Sequence, residues 1–292
     1  MIDLMIAGGQ KCATSSILEY FRAIDGVRAQ TLPEMAYFTY DDEWRRGYDS
    51  AFRMYFPQRA APADAGSRII AKHANIMARD HALARLYEHN PRVHLLVSLR
   101  EPVARAYSAY WWARREGIET MQSFEDAVAA GPRRFTQPSV ASTCDYLGNG
   151  EYARQLAGLI TRFSSPHVHV VFDSEYFAAP DMALGPVLGA LGLTRGAGIA
   201  APRENAAAAP RSERFARALQ NARISRQIAH LILPRRVTRR IGVAVTSLNQ
   251  REIDIPPISP KTAARLREHY QAHDDALRTM LGRALPWDSE AL

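Results

Sequence analysis

One ammonium group and three hydroxyl groups lie within six residues near the N-terminus, on Lys11, Thr14, Ser15 and Ser16. They follow the pair Gly8-Gly9, and glycine lets a backbone turn tightly and approach a ligand closely. The hydroxyl residues also begin an apolar-periodic segment, which is the pattern of a helix N-terminus. Because the first turn of a helix presents unpaired N–H groups and the positive end of the helix dipole, this stretch is a candidate anion site.

The spacing of this stretch differs from that of the Walker A loop of ATP-binding proteins. In that loop the lysine stands directly before the hydroxyl residue, whereas Lys11 precedes Thr14 by three residues. Ala13 stands where a second glycine is expected. The stretch is therefore either an ordinary strand–helix turn that contains a lysine or an anion site whose spacing differs from that of a Walker A loop.

A second basic segment, Arg100 to Ser108, follows about ninety residues later. Arg100 comes directly after the strongest apolar run of the chain, and Pro102 stands where a helix begins. A guanidinium group pairs well with a phosphate, and a serine hydroxyl two helical turns later can bind another oxygen of it. The alternative is that Arg100 pairs with Glu101 or Glu116 and that Ser108 is an inert helix residue.

Short apolar runs alternate with helix-periodic segments through most of the chain. This alternation predicts an α/β fold with a central parallel β-sheet flanked by helices. Ligands of such sheets bind at the carboxyl ends of the strands, so we expect Gly8-Gly9, Lys72-His73 and Arg100 at one edge of the sheet. The predicted strands are 4–7, 27–32, 68–72, 93–99 and 168–172, and the predicted helices include 79–89, 102–115, 123–130, 151–163, 181–191 and a last one around 266–281.

Other segments give weaker signals. Residues 131–149 and 196–210 are predicted as loops from their Pro, Gly, Ser or Ala content. Residues 211–240 combine arginines with aliphatic residues, which predicts either a surface helix docked by its apolar side or a basic amphipathic helix at a membrane surface or an anionic substrate. Since no repeat or clear boundary interrupts the chain, we expect a single domain over 1–292, with 196–250 as a variable, acceptor-side or lid region.

The composition narrows the classes of partner. The chain has 292 residues, a net charge of +7 and two cysteines. The charge suits an anionic ligand, although a generally Arg-rich surface would also produce it. The sequence has no RNP, zinc-finger or helix-turn-helix signature, so we do not expect nucleic acid as a partner. It also has no disulfide framework, Cys/His metal spacing, signal peptide or membrane-length apolar run, and these absences predict a metal-free, cytoplasmic protein.

The order of the motifs resembles that of the sulfotransferases that use 3′-phosphoadenosine 5′-phosphosulfate (PAPS), most closely their bacterial and carbohydrate (heparan-type) branch. The stretch Gly9-Gln10-Lys11-Cys12-Ala13-Thr14-Ser15-Ser16 is similar to their 5′-phosphosulfate loop, and Arg100 to Ser108 is similar to their 3′-phosphate segment. Further stretches that look like this branch are Pro33-Glu34-Met35-Ala36-Tyr37-Phe38, Tyr48-Asp49 with Tyr55-Phe56-Pro57, Ala71-Lys72-His73-Ala74-Asn75, and Leu266–Trp287. The similarity is weakest at 196–250.

This resemblance implies a sulfotransferase fold, P-loop-like at the donor site. It also implies transfer of a sulfuryl group from PAPS to a hydroxyl or amine of a glycan or small-molecule acceptor. Adenosine 3′,5′-bisphosphate (PAP) would be the product, and no metal would be needed. Lys11 would stabilise the leaving group. The residues implied to bind the donor are Gln10, Lys11, Cys12, Ala13, Thr14, Ser15, Ser16, Arg100 and Ser108. Ala13 replaces the usual glycine of the loop, which is tolerable if this residue has helical backbone angles.

The acceptor also needs a base. Glu34 matches the base of the heparan-type branch, and its apolar and aromatic neighbours are expected to shield the carboxylate from water. His73 is the alternative base, because Lys72-His73 lies near the position of the Lys-Thr-His element of the small-molecule branch. Lys72 would orient the carboxylate or the sulfuryl group.

Two other classes remain as alternatives. A P-loop kinase or other nucleotide-binding enzyme needs an aspartate after an apolar strand, and Asp173, after 168–172, is so placed. A non-enzymatic anion-binding or membrane-surface protein would act through 211–240.

Overall fold

A computed structural model describes residues 1–57, 66–194, 208–210, 250–252 and 255–291. The chain divides into two compact units, and neither is continuous in sequence. The first comprises Met1–Arg105, Asn149–Glu204 and Glu268–Leu292, and the second comprises Ala106–Gly148 and Asn205–Arg267. The expectation of a single domain over 1–292 stays a prediction.

A five-stranded parallel sheet forms the centre of the first unit. Its strands, in chain order, are β1 (Leu4–Ile6), β2 (Val27–Ala29), β3 (Arg68–Lys72), β4 (His94–Leu99) and β5 (Val168–Phe172). They lie in the order β2-β3-β1-β4-β5, and every neighbouring pair is parallel. In the central strand β1, Ile6 aligns with Lys72 on one side and with Leu96 on the other. The predicted α/β class is confirmed, and the carboxyl ends of all five strands meet at one edge of the sheet.

Both faces of this sheet are buried, which explains why its strands are apolar runs rather than alternating ones. Successive side chains of a strand point to opposite faces. Leu4 and Ile6 accordingly belong to one core cluster, together with helix Thr14–Arg22, and Met5 belongs to the other, together with Tyr152–Phe163.

Helices cover the sheet, and most of them begin and end close to the predicted bounds. The helix predicted at 102–115 is Pro102–Arg115, and the last helix is Pro260–Leu281. Both of these helices have residues in each unit. The helices that lie wholly in the first unit are Thr14–Arg22, Asp41–Arg45, Tyr48–Tyr55, Asp80–His89, Tyr152–Phe163, Asp173–Ala178 and Pro180–Ala190. The helices at 41–45, 48–55 and 173–178 were not predicted. No helix among the described residues is long and apolar enough to cross a bilayer.

The described part of the second unit contains helices Phe124–Ala130 and Pro138–Thr143 and an antiparallel pair, β6 (Ala208–Pro210) and β7 (Gln250–Glu252). The prediction of a loop over 131–149 was therefore wrong at 138–143, which is a helix. Its proline, Pro138, stands in the first turn, where a helix tolerates proline. The loop predicted at 196–210 ends in β6. The rest of that loop and the basic segment 211–240 lie outside the described residues.

A buried carboxylate lies at the centre of a cluster of side chains within residues 110–146 of the second unit. The side chain of Glu119 is fully buried, pairs with the guanidinium of Arg134, and accepts a hydrogen bond of 2.9 Å from the hydroxyl of Tyr146. The ring of Tyr146 packs edge-on against Tyr110 and Phe124. A buried charge needs such partners, so this cluster holds together residues 110–146 of the second unit.

Candidate active site

The turn after β1 packs directly against the neighbouring strand β4. A Cβ atom at Gly8 would lie 2.3 Å from the backbone nitrogen of Ser98, so a side chain does not fit there. The Gly9 N–H donates to the Ser98 carbonyl (3.0 Å), and the Ser98 hydroxyl donates to the Cys12 carbonyl (2.6 Å). Position 8 thus requires glycine because strand β4 lies too close for a side chain, and not because a ligand approaches there. These contacts fix the loop to the sheet.

Two residues of this loop have left-handed backbone angles, Lys11 (φ 69°) and Ala13 (φ 59°, ψ 10°). Alanine was expected to be tolerable at position 13 if this residue had right-handed helical angles. Ala13 does not have them. The left-handed conformation costs an L-residue about 1–2 kcal/mol, and it persists where the surrounding structure fixes it. Helix Thr14–Arg22 begins directly afterwards, and Ala13 makes no side-chain capping bond to it. Its first turn also carries no acidic residue, as an anion site requires.

The polar side chains of the loop divide into buried and accessible ones. Gln10, Thr14 and Ser16 are buried, whereas Lys11 and Ser15 are partly exposed. The Oε1 atom of Gln10 is buried and has no hydrogen-bond partner among the described residues. Lys11 and Ser15 are therefore the side chains of this set that a ligand can reach most directly.

Cys12 does not act as a nucleophile in this loop. Its side chain is fully buried, and its sulfur lies 3.8 Å from the hydroxyl of Tyr152. Burial raises the pKa of the Cys12 thiol to about 12. Because the thiolate is the reactive form, this thiol is inert at neutral pH.

Lys72 joins the loop to the predicted base. Its ammonium lies 2.6 Å from Oε1 of Glu34 and donates to the hydroxyl of Ser15 at 3.3 Å. The other carboxylate oxygen of Glu34 accepts the Ala74 N–H at 2.9 Å. Three residues that are far apart in sequence, at positions 15, 34 and 72, are thus brought together at the carboxyl ends of β1 and β3.

Glu34 is open to solvent, contrary to the expectation that its neighbours shield it. Its side chain is 41% exposed, while that of Lys72 is 3% exposed. The neighbours Met35, Tyr37 and Phe38 turn into the core instead. The carboxylate is consequently reachable from solvent, and each of its oxygens keeps a further lone pair that can accept a hydrogen bond or a proton.

His73 is held as a neutral, structural side chain. The Asn75 N–H donates to its Nδ1 (3.3 Å), which leaves the proton on Nε2, 3.0 Å from the hydroxyl of Thr39. The residue is 8% exposed, and burial lowers the pKa of its imidazole to about 4. Both ring nitrogens therefore have protein partners.

Arg100 lies after β4, as predicted, but its partner is not one of the two predicted carboxylates. Its Nε lies 3.5 Å from Oδ2 of Asp173, while Glu101 instead accepts the Ala104 N–H at the start of the next helix. Burial raises the pKa of Asp173, and the Arg100 guanidinium opposes that rise. The Arg100 side chain is 37% exposed. It also lies close to the loop, since its Nη1 is 3.5 Å from the Lys11 carbonyl.

The second residue of the predicted 3′-phosphate pair belongs to the other unit. Ser108 lies within helix Pro102–Arg115, as predicted, and is partly exposed. Its role beside Arg100 stays a prediction. The other predicted site residues, from Gln10 to Ser16 together with Glu34, Lys72 and His73, all belong to the first unit.

Two buried residues that the sequence analysis did not single out hold this site. Gln30 is fully buried, accepts the Lys72 backbone N–H at 2.7 Å and donates to the Leu32 carbonyl at 2.7 Å. Tyr152 donates to the Arg100 carbonyl at 2.8 Å. A polar residue inside the otherwise buried predicted strand 27–32, three residues before Pro33, is the signal that would have identified Gln30.

Known structures contain a protein of the same fold. The crystal structure of a sulfotransferase from Alicyclobacillus acidocaldarius is similar to this chain with a TM-score of 0.65 and 20% sequence identity, over 98% of this chain and 97% of that one. No family model and no curated protein matches the chain. At this level of identity the similarity shows the fold: a parallel α/β sheet arranged as in that sulfotransferase.

Proposed function

We propose that this protein is a sulfotransferase that transfers a sulfuryl group from PAPS to a hydroxyl or amine of a glycan or small-molecule acceptor. The contact of Lys72 with both Glu34 and Ser15 carries the proposal. It joins a carboxylate, a buried ammonium and a hydroxyl-rich helix start at the edge of the sheet where parallel α/β folds bind ligands. The full-length similarity in fold to a sulfotransferase supports the same class.

The loop after β1 has the chemistry that the 5′ end of this donor needs. The first turn of helix Thr14–Arg22 has no side-chain cap at Ala13 and no acidic residue, and an anion is stabilised there by N–H groups and the helix dipole. Lys11 adds a positive charge beside it. Arg100, directly after the neighbouring strand β4, supplies a planar guanidinium of the kind that binds phosphate, and we assign the 3′-phosphate to it.

Transfer of a sulfuryl group resembles phosphoryl transfer, in which positioning and electrostatic stabilisation do most of the work. Glu34 would accept the proton of the acceptor group as that group bonds to sulfur. Lys11 would stabilise the negative charge on the phosphate that leaves. Lys72 would hold the Glu34 carboxylate in place and add positive charge next to the sulfuryl oxygens. These protein cations and N–H groups supply the charge compensation of the reaction.

The surroundings of the two candidate bases favour Glu34. Its carboxylate is 41% exposed and can meet an acceptor, whereas both nitrogens of the buried His73 are occupied by Asn75 and Thr39. A general base must reach the proton that it removes. His73 then acts by holding the chain after β3 in place, and Lys72 is the neighbour that contacts the base.

Selective binding of PAP tests the donor site. Thermal-shift titrations should show a larger rise in Tm with PAP than with AMP or ATP, because the 3′-phosphate adds a contact to Arg100. Arg100→Gln should remove that selectivity, and Arg92→Gln, an exposed arginine just before β4, is the matched control that should keep it. Equal shifts with PAP and AMP would contradict the role of Arg100, and a preference for ATP with Mg²⁺ would favour a kinase.

Turnover of PAPS tests the base. The assay measures PAP released with a panel of glycan and phenolic acceptors, and sulfated products are identified by mass spectrometry. Glu34→Gln should lower turnover by about 10²-fold or more while PAP binding is retained. His73→Asn should keep substantial turnover if it still folds, as its circular dichroism will show. An active Glu34→Gln beside an inactive, folded His73→Asn would reverse the assignment.

A further inference from the structure

Two histidines and a carboxylate meet in the first unit, apart from the residues assigned to sulfuryl transfer. His269 and His273 lie one turn apart on helix Pro260–Leu281, and Glu151 directly precedes helix Tyr152–Phe163. The Oε1 atom of Glu151 lies 3.9 Å from Nε2 of each histidine. One ligand atom from each of the three residues falls within 4.8 Å of the other two.

The Glu151 side chain faces His269 and His273 and does not cap its own helix. It occupies the N-cap position of Tyr152–Phe163 but makes no side-chain capping bond. The residue before it, Gly150, is pressed against the C-terminal helix, since a Cβ atom there would lie 2.7 Å from the hydroxyl of Tyr270. This close packing brings Glu151 next to the helix that carries both histidines. The second oxygen of Glu151 lies 3.4 Å from Nε of Arg154, so Oε1 remains directed to the histidines.

We propose that Glu151, His269 and His273 form a binding site for a divalent transition-metal ion of the Zn²⁺ class. Imidazole nitrogens and a carboxylate oxygen are ligands that Zn²⁺ takes in proteins, and three such ligands with water in the fourth position are a common set. Bonds of about 2.0–2.1 Å in a tetrahedron bring ligand atoms to about 3.4 Å from one another. The 3.9 Å distances therefore need to close by about 0.5 Å, and the two histidine atoms, which lie within 4.8 Å of each other, need to close by at most about 1.4 Å. Side-chain rotation provides movements of this size.

Partial exposure lets the ion enter from solvent. The side chains of Glu151, His269 and His273 are 22%, 36% and 33% exposed. The bound ion ties the C-terminal helix to the segment that carries Tyr152, whose hydroxyl holds the Arg100 carbonyl. Its role is structural, and the proposal does not depend on the reaction that the protein catalyses.

Titration of the chelator-treated 292-residue chain with Zn²⁺ alone tests this site. Calorimetry should show one saturable site, Zn²⁺ should raise Tm while Mg²⁺ should not, and Co²⁺ should give the visible absorption of a tetrahedral complex. Glu151→Gln and His273→Asn should each weaken Zn²⁺ binding by about tenfold or more. Glu268→Gln removes an exposed carboxylate from the same helix and is the matched control that should bind as the parent does.

The alternative arrangement is an ion pair between protonated histidines and Glu151, with no metal. Absence of saturable Zn²⁺ binding would overturn the proposal in favour of that arrangement. Zn²⁺ binding of unchanged strength in the His269→Asn/His273→Asn double variant would also overturn it and would locate the metal elsewhere, for example at the His94 and His169 side chains, whose ring nitrogens lie 3.1 Å apart.

Discussion

Replacing Glu34 by Gln should destabilise the folded protein even when no substrate is present. The Lys72 side chain is 3% exposed, and its ammonium lies 2.6 Å from the Glu34 carboxylate. Gln keeps the size and an oxygen acceptor but removes the negative charge. A nearly buried ammonium then loses its counter-charge, which is unfavourable because water cannot replace it.

The size of the effect follows from the exposure of the two partners. A hydrogen bond to a charged group contributes about 1.5–3 kcal/mol, and breaking a fully buried ion pair costs about 3–5 kcal/mol. Solvent screens this pair because the Glu34 side chain is 41% exposed, so the lower range applies. We expect Glu34→Gln to lower the free energy of unfolding by about 1.5–2 kcal/mol.

A double-mutant cycle with Lys72→Met isolates the pair, since Met is similar in length to Lys and carries no charge. Urea unfolding of the four proteins should give a coupling energy of about 1–2 kcal/mol. The exposed pair Arg46–Asp42, with side chains 51% and 54% exposed, is the control and should couple by about 0.5 kcal/mol or less. A coupling no larger than this control between Glu34 and Lys72 would refute the ion pair and with it the contact that carries the proposed function.

Three further predictions concern the loop and its surroundings. Gly8→Ala should destabilise the fold by about 2–3 kcal/mol in urea unfolding because its Cβ would meet the β4 backbone, whereas Gly158→Ala, at an open helical position, should stabilise it by about 0.5–1 kcal/mol. Burial lowers the pKa of His73 from 6.5 to about 4, so as pH falls the His73 imidazole is protonated in the unfolded chain before it is protonated in the folded protein. Stability is then lost as pH falls from about 6.5 towards 4, and His73→Gln should flatten that fall in Tm. Burial raises the pKa of Cys12 to about 12 and that of Cys144 to about 11, so DTNB should titrate no thiol in the native protein and two in urea; a fast native thiol would contradict this burial.

The sheet was predictable because its signals are local. Strands 68–72 and 168–172 and helix 102–115 were predicted with the observed bounds, since each is an apolar or periodic run with a clear boundary. Three sequence stretches that follow strands were also placed correctly at one edge, because parallel strands share the direction of their carboxyl ends. The short helices at 41–45 and 48–55 were missed because mixed charged and aromatic residues give no clean period.

The contacts within the site were less predictable because they join distant segments. Asp173 reaches Arg100 across the pairing of β4 with β5, and sequence proximity had suggested Glu101 instead. The loop around Ala13 imposes its left-handed angles, so the right-handed helical angles expected for an alanine were a wrong prediction. Likewise the spacing of His269 and His273 is visible in the sequence, but Glu151 stands more than a hundred residues earlier.

Lys72 and His73 have different partners because of the geometry at the end of β3. Neighbouring residues at the end of an extended strand point to opposite sides, so one chain direction cannot bring both side chains to the same ligand. The ammonium of Lys72 goes to Ser15 and Glu34, and the imidazole of His73 goes to Thr39. Of the adjacent residues Lys72 and His73, only Lys72 therefore directs its side chain to Ser15 and Glu34. In the proposed reaction the proton acceptor would therefore come from another loop, and Glu34 is the carboxylate that the ammonium of Lys72 contacts there.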